Sequence, residues 1–180
     1  MYVKSDSPIA SALVIAPKPT PPFQRWCGDH VWINKYIEFV QHYIPIVSHE
    51  IEKAAKGKVF CDLDMKNGFH QIVLAEFTSR MLTIITPWGP VRPLYMPEGI
   101  SPASGILHHT MVDILTDVLD TCIAIFDNFL IVCESYDDCY KKLVKFITIC
   151  ADRNVILGMA KSKIGFTKCV FFGYEISEGT

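Results

Sequence analysis

The sequence predicts an α+β fold, an antiparallel sheet with amphipathic helices packed on one face. Three observations predict it. Residues 123–132, Ile-Ala-Ile-Phe-Asp-Asn-Phe-Leu-Ile-Val, set two apolar runs around one polar pair, Asp127-Asn128, the pattern of a tight β-hairpin with a carboxylate at its tip. Residues 58–65, Lys-Val-Phe-Cys-Asp-Leu-Asp-Met, form a second apolar strand that carries Asp62 and Asp64 and is broken by Asn67-Gly68. Residues 101–118 and 135–152 repeat apolar side chains at helical spacing.

In chain order, residues 10–15 are strand-like, the Pro-rich run 16–22 is a loop, and residues 24–27 are the returning strand. Residues 45–57 read as a helix with Ile46, Val47, Ile51, Ala54 and Ala55 near helical spacing and Gly57 as its stop. Residues 69–74 and 81–85 read as two further strands joined by a polar turn, and Thr86-Pro-Trp-Gly-Pro90 as another turn. Ser101 caps and Pro102 opens a helix whose apolar face is Ile106, Leu107, Met111, Ile114, Leu115 and Val118. Ser135-Tyr-Asp-Asp138 resembles a capping box for a helix to about residue 152, with Tyr140, Leu143, Val144, Ile147 and Cys150 turned inward. Residues 168–177 read as a closing hairpin.

Bulk composition sets the class. The chain has 180 residues, half of them hydrophobic, with mean hydropathy +0.25, enough for one domain with a real core. No apolar run is long enough to span a bilayer, and the first residues lack a secretion-signal core, so no membrane is expected as a partner. Seven cysteines stand at wide spacings with no CxxC pair, which predicts a reduced intracellular protein, in cytoplasm or nucleus. His42, His49, His108 and His109 have no partner at metal-ligand spacing. A net charge of −2 counts against a dedicated nucleic-acid binder but permits a local basic track.

Several blocks, in order, resemble the reverse transcriptase domain of gypsy-type retrotransposons and retroviruses. Leu63-Asp-Met-Lys-Asn-Gly-Phe-His-Gln-Ile72 is similar to the first catalytic motif, LD-x-x-x-G-[YF]-H-Q-I. Thr86-Pro-Trp-Gly89 and Met96-Pro-Glu-Gly-Ile-Ser-Pro-Ala103 resemble the TPFG and MPFGI-[ST]-x-A blocks, and Phe172-Gly-Tyr-Glu-Ile-Ser177 the primer-grip block. Ser7-Pro-Ile-Ala-Ser-Ala12, Arg25-Trp-Cys-Gly-Asp29 and Asn34 resemble the fingers. One block alone would be weak; the ordered set covers nearly the whole chain.

The resemblance implies a polymerase palm plus a fingers subdomain: fingers at about 1–57 and 72–95, palm at about 58–71 and 96–180, without thumb or ribonuclease H segments. It implies template-directed addition of deoxynucleotides to a primer on RNA or DNA. Asp64, Asp127 and Asn128 take the catalytic positions. Asp64, Asp127 and the Met65 carbonyl would hold two Mg²⁺ ions (or Mn²⁺) about 3.5–4 Å apart. Lys18, Arg25, Met65, Phe69 and Gln71 would bind the deoxynucleoside triphosphate. Phe69 would act as a ring that excludes a ribose hydroxyl, and Phe172, Gly173 and Tyr174 would place the primer end. Taken singly, Asp64 and Asp127 are residues that any strand end and turn would carry, Phe69 is equally a core residue, and Lys18 and Arg25 equally solvated cations. A basic residue expected after the palm helix falls on Lys161 or Lys163.

The chain also departs from the family. Where the family has YxDD, this sequence has Ile125-Phe-Asp-Asn128, which removes a carboxylate and a tyrosine hydroxyl and predicts weakened metal binding and turnover. The alternatives are therefore a pseudoenzyme that keeps the fold and some nucleic-acid binding, or a structural or interaction domain. Glu98 replaces an apolar residue or Gln, and Leu107 and His108 stand where Phe and Gln are usual.

Overall fold

The computed structural model describes residues 1–19, 21, 23–38 and 45–178; Thr20, Pro22 and His42 lie outside them. In chain order the elements are β1 (Tyr2–Lys4), β2 (Ser11–Pro17), β3 (Gln24–Gly28), α1 (Val47–Ala54), β4 (Val59–Asp64), α2 (Glu76–Met81), β5 (Ile84–Thr86), β6 (Gly89–Pro93), α3 (Ala103–Ile114), β7 (Cys122–Ile125), β8 (Asn128–Cys133), α4 (Tyr136–Asp152), β9 (Lys163–Phe166), β10 (Lys168–Phe171) and β11 (Tyr174–Ser177). The fold is α+β, as the sequence predicts, and divides into two compact units, Met1–Gln41 with Phe69–Ser104, and His42–Gly68 with Gly105–Thr180.

The first unit is a five-stranded sheet in the order β1-β6-β5-β2-β3. All its pairings are antiparallel except β2 with β5, which run parallel. The expected strand at 69–74 is not formed. Residues Gly68–Gln71 make a 3-10 turn, and only Val73 keeps a single bridge, to Tyr95. Residues read as a polar turn are the helix α2, whose Ser79 is buried and donates its hydroxyl to the Pro93 carbonyl at 2.5 Å. A buried hydroxyl with a carbonyl partner carries no desolvation deficit, so this polar residue fits inside the helix–sheet contact.

The second unit is a four-stranded antiparallel sheet, β7-β8-β4-β9, with a separate β10-β11 hairpin. Strand alternation sorts its side chains onto two faces. Phe60, Leu130, Ile123 and Ile125 form one face and pack with Ala54 of α1 and with Cys169, Phe171 and Ile176 of the β10–β11 hairpin. The opposite face meets α4: Phe129 packs on Phe146 with ring centroids 5.3 Å apart, and the Cys61 and Cys139 sulfurs lie 3.2 Å apart.

Helix α4 starts where the sequence places it. Ser135 accepts the Asp138 N–H at 3.2 Å, and the Asp138 carboxylate accepts the Glu134 N–H at 3.0 Å, a reciprocal cap. Its buried face differs in part from the one expected. Cys150 is buried and Leu143 half-buried as expected, but Cys139 and Phe146 complete the buried face, whereas Tyr140 is 71% exposed and Val144 and Ile147 are also exposed. Likewise Ile46 and Ala55 are exposed, while Ala54 is fully buried.

Candidate active site

Strand β4 ends on Asp64, which stands opposite Asn128 in the β4–β8 ladder. One residue on, the Met65 N–H donates to the Asp127 carbonyl at 2.8 Å. Backbone pairing thus places the two predicted carboxylates, 63 positions apart in sequence, on adjoining strand ends. Asp127 does sit at the hairpin tip, but the two-residue turn is Phe126-Asp127, and Asn128 is the first residue of β8 rather than part of the tip. Phe126 has φ +56°, a left-handed conformation costly for an aromatic residue. Its ring is met edge-on by His108, centroids 6.1 Å apart. His108 is buried, its Nδ1 has no hydrogen-bond partner among the described residues, and burial holds its imidazole below the usual range.

Two glycines fit closely against these acids. A Cβ on Gly68 would lie 3.0 Å from the Asp127 Cβ and 3.2 Å from Leu107 Cδ2. A Cβ on Gly158 would lie 3.1 Å from Asp64 Oδ2, and the Gly158 N–H donates to the Asp64 carbonyl at 2.6 Å. The resemblance marks Gly68 as a motif position, but Gly158 carries no signal in the sequence, because its role comes from a tertiary approach. An open recess of about 420 Å³ lies beside Asp64, lined by Met65, Lys66, Asn67 and residues 157–161.

The charges around these acids are uneven. Lys161 holds its ammonium 3.3 Å from Asp64 Oδ2; it is 77% exposed and the Asp64 side chain only 16%. Of the two lysines the sequence left open, Lys161 is therefore the one at the acid. Asn128 donates its amide to Asp127 Oδ1 at 3.1 Å. Asp62 lies on the same strand face as Asp64, opposite Lys163 in the β4–β9 ladder. Burial raises its carboxyl above the ordinary range, Lys163 opposes that shift, and the Asp64 charge adds to it.

The donor types suit a hard dication: the Asp64 and Asp127 carboxylates sit on segments joined by backbone pairing, beside Met65, with the Lys161 ammonium already attracted to Asp64. Among the described residues no group of three or more His, Cys, Asp or Glu side chains converges on one point, so protein side chains alone do not complete such a site.

Other predicted positions in this unit lie on the β10–β11 hairpin. Phe172 (φ +50°) and Gly173 (φ +84°) are its two turn residues, both left-handed as a type I′ turn requires, and Tyr174 opens β11. Phe172 lines a recess of about 180 Å³ together with Asp62, Asn128, Val170 and Phe171.

The first unit holds the predicted nucleotide-binding cations. Lys18 closes the β2–β3 hairpin by donating its N–H to the Phe23 carbonyl at 2.9 Å. Arg25, on β3 opposite Ala16, is paired with Glu98 at 2.6 Å. Phe69 and Gln71, both half-buried, lie in the 3-10 turn.

A family model described as reverse transcriptase (RNA-dependent DNA polymerase) matches residues 16–176. The chain belongs to the reverse transcriptase family. Among curated proteins it is similar to the transposon Tf2-7 and Tf2-8 polyproteins of Schizosaccharomyces pombe, each 27% identical over 155 residues. Those matches cover 86% of this chain and 12% of the polyproteins, so the chain spans about an eighth of their length. Among solved structures it is similar to a foamy viral protease-reverse transcriptase in complex with RNA/DNA hybrid, with TM-score 0.89 and 18% identity over 98% of this chain and 24% of that one. The same viral protein in complex with dsDNA matches with TM-score 0.89, 18% identity, 98% of this chain and 37% of that one. At that identity the structural likeness speaks for the fold. No helix among the described residues is long and apolar enough to cross a membrane.

Proposed function

We propose that this reverse transcriptase chain carries out RNA-directed DNA synthesis, extending a primer by nucleotidyl transfer. The observation that carries the reading is the backbone pairing of Asp64 with Asn128 and of Met65 with Asp127, which brings the two acidic residues onto neighbouring backbone at the end of a buried sheet. We read the first unit as fingers and the second as palm. Asp64, Asp127 and the Met65 carbonyl would hold Mg²⁺, or Mn²⁺ in its place. When bound, such ions supply charge neutralisation at the attacking and leaving oxygens. The chain's own groups do the rest. Lys18 and Arg25 grip the triphosphate of the incoming deoxynucleotide, Arg25 through a planar fork suited to phosphate. Phe69 rejects a ribose hydroxyl and Gln71 holds backbone beside it. Phe172, Gly173 and Tyr174 position the primer end, and Lys161, which lines the Asp64 recess, would donate a proton to departing pyrophosphate. Template and primer are the macromolecular partners, joined by thumb and ribonuclease H segments where such a domain works as part of a polyprotein. Seven free thiols suit a reducing intracellular compartment.

One observation favours a second reading, a fold kept without efficient turnover. Asn128 brings an amide where the family has a carboxylate, and that amide is already bonded to Asp127. Metal-dependent extension on a primed RNA template separates the two. The wild type should extend weakly, Asp64→Ala not at all, and Asn128→Asp about tenfold or more faster than wild type. Extension by Asp64→Ala would end the polymerase reading. Equal, robust extension by wild type and Asn128→Asp would end the claim of impairment. Salt-sensitive binding of the primed template with no extension by any variant would establish the second reading.

A further inference from the structure

Glu98 departs from the family pattern, and its carboxylate lies against the cation assigned to the triphosphate. We propose that Glu98 is a built-in competitor of the incoming nucleotide: it holds the Arg25 guanidinium in a pre-formed ion pair that a deoxynucleoside triphosphate must break. The inference rests on Arg25 being a triphosphate ligand, as proposed above.

The contact is short and charge-assisted, Arg25 Nη1 to Glu98 Oε2 at 2.6 Å. It is also held from behind. Asn34 clamps the turn that follows Glu98 from both sides, donating its amide to the Gly99 carbonyl at 2.8 Å and accepting the Ser101 N–H at 3.0 Å. Gly99 has φ +90°, a conformation glycine adopts without strain. Two residues before Glu98, the Met96 N–H donates to the Ile72 carbonyl at 2.8 Å. The backbone on both sides of Glu98 is therefore fixed by partners other than Arg25.

The electrostatic consequence spreads over the neighbouring side chains. Burial raises the Tyr2 hydroxyl and the Cys27 thiol and lowers the His70 imidazole; beyond burial, the Glu98 charge pushes all three upward. Arg25 opposes Glu98 at both Cys27 and His70. A polyanion approaching Arg25 thus meets a neutralised guanidinium and a like charge beside it, instead of an open cation. Water screens the pair, because its side chains are 51% and 34% exposed, so the effect on affinity is about two- to fivefold.

The test is equilibrium binding of dTTP, with Mg²⁺ and an adenosine-rich RNA template whose primer ends in a dideoxynucleotide, so that nothing turns over. Trp26, next to Arg25 in sequence and stacked on Trp88, gives the fluorescence signal. Glu98→Gln should bind dTTP about two- to fivefold more tightly than wild type with an unchanged melting temperature. Glu98→Asp, which keeps the charge on a shorter side chain, should fall between them. Arg25→Ala should weaken binding, and on that background the gain from Glu98→Gln should drop to less than half. A Glu98→Gln affinity equal to or weaker than wild type, with Arg25→Ala still weakened, overturns the competitor and leaves Arg25 as a ligand. A gain that persists in full without Arg25 also overturns it, in favour of plain repulsion. If neither Arg25→Ala nor Glu98→Gln changes binding, both the competitor and the Arg25 assignment fall.

Discussion

The β7–β8 hairpin and the β2–β3 hairpin carry charged residues proposed for one reaction, yet they are built differently. All four residues of β7 are buried, as are four of the six in β8. No residue of β2 or β3 is buried. Asp127 is fixed by a ladder that runs through the core of its unit, whereas Arg25 rides on an exposed ribbon and is held by one solvent-screened ion pair. Under the proposed function, a carboxylate pair that shares cations would tolerate little displacement, in keeping with its anchoring in packed backbone. A proposed triphosphate grip would work through longer-range charge, and one neighbouring residue would be able to change its strength. The most damaging way to test that difference is in the packing. Phe129→Ala, at a fully buried position of β8, should cost about 3–5 kcal/mol in chemical denaturation, because it removes a ring packed on Phe146. Trp26→Ala, on β3, 48% exposed and stacked on Trp88, should cost about 0.5–1.5 kcal/mol. Similar losses in the two variants would erase the distinction between the hairpins.

The next largest effect concerns glycines. Gly68→Ala forces a methyl group to 3.0 Å from the Asp127 Cβ and 3.2 Å from Leu107, and overpacking of this kind costs about 1–3 kcal/mol. Because the displaced atom belongs to a proposed metal ligand, extension activity should fall by about tenfold or more, beyond what the lost stability explains. Gly89→Ala makes the opposite case in the first unit. Gly89 has φ +105° but nothing within 4 Å of the added methyl, so backbone strain lowers stability while extension by the folded fraction is unchanged. Paired melting curves and single-turnover rates check both, and an intact rate in Gly68→Ala would remove Asp127 from the chemistry.

These contrasts also mark how far the sequence could be read. Strand β4 and the β7–β8 hairpin were legible because alternation and a polar break are local signals, and Ser135 announced α4 for the same reason. The buried face of α4 was legible only in part. Tyr140, Val144 and Ile147 make an apolar stripe about as regular as Cys139, Phe146 and Cys150, and only the sheet decides which stripe is covered. Residues 69–74 alternate like a strand but follow Asn67 (φ +53°), and their chain turns in a 3-10 helix instead of meeting a partner along its length. Strands β1 and β6 are short, β6 contains two prolines, and their pairing spans some ninety positions, so no window of sequence shows it. At the candidate site, Asp64 and Asp127 were visible through their motif, but the choice between Lys161 and Lys163 was ambiguous, and only geometry shows that Lys161 reaches Asp64. The turn Phe126-Asp127 defied propensity, since a left-handed Phe is specified by its surroundings and not by its own preference.

The smallest predicted effect sharpens what burial in the second unit costs. Asp62 is partly buried between its own strand and Lys163, and its carboxyl is raised above the ordinary value of 3.8, first by burial and then by the Asp64 charge, against the opposing Lys163. An acid held more protonated in the folded chain than in the unfolded one favours folding below its unfolded value. That contribution is lost as pH rises through the raised folded value. Asp62→Asn should therefore match wild type below the ordinary carboxyl range and become the more stable protein toward neutral pH, by less than about 1 kcal/mol given partial solvent screening. Asp138 supplies the opposite sign in the same unit: the hydrogen bond from Lys142 lowers its carboxyl, so its contribution is present above the unfolded value and lost as pH falls through the folded one. Asp138→Asn should accordingly lose stability near neutral pH and converge on wild type in acid. Denaturation midpoints across the acid range read both differences. A destabilised Asp62→Asn at neutral pH would mean that Lys163 outweighs burial, and that the recess beside Asn128 holds a charge the fold needs.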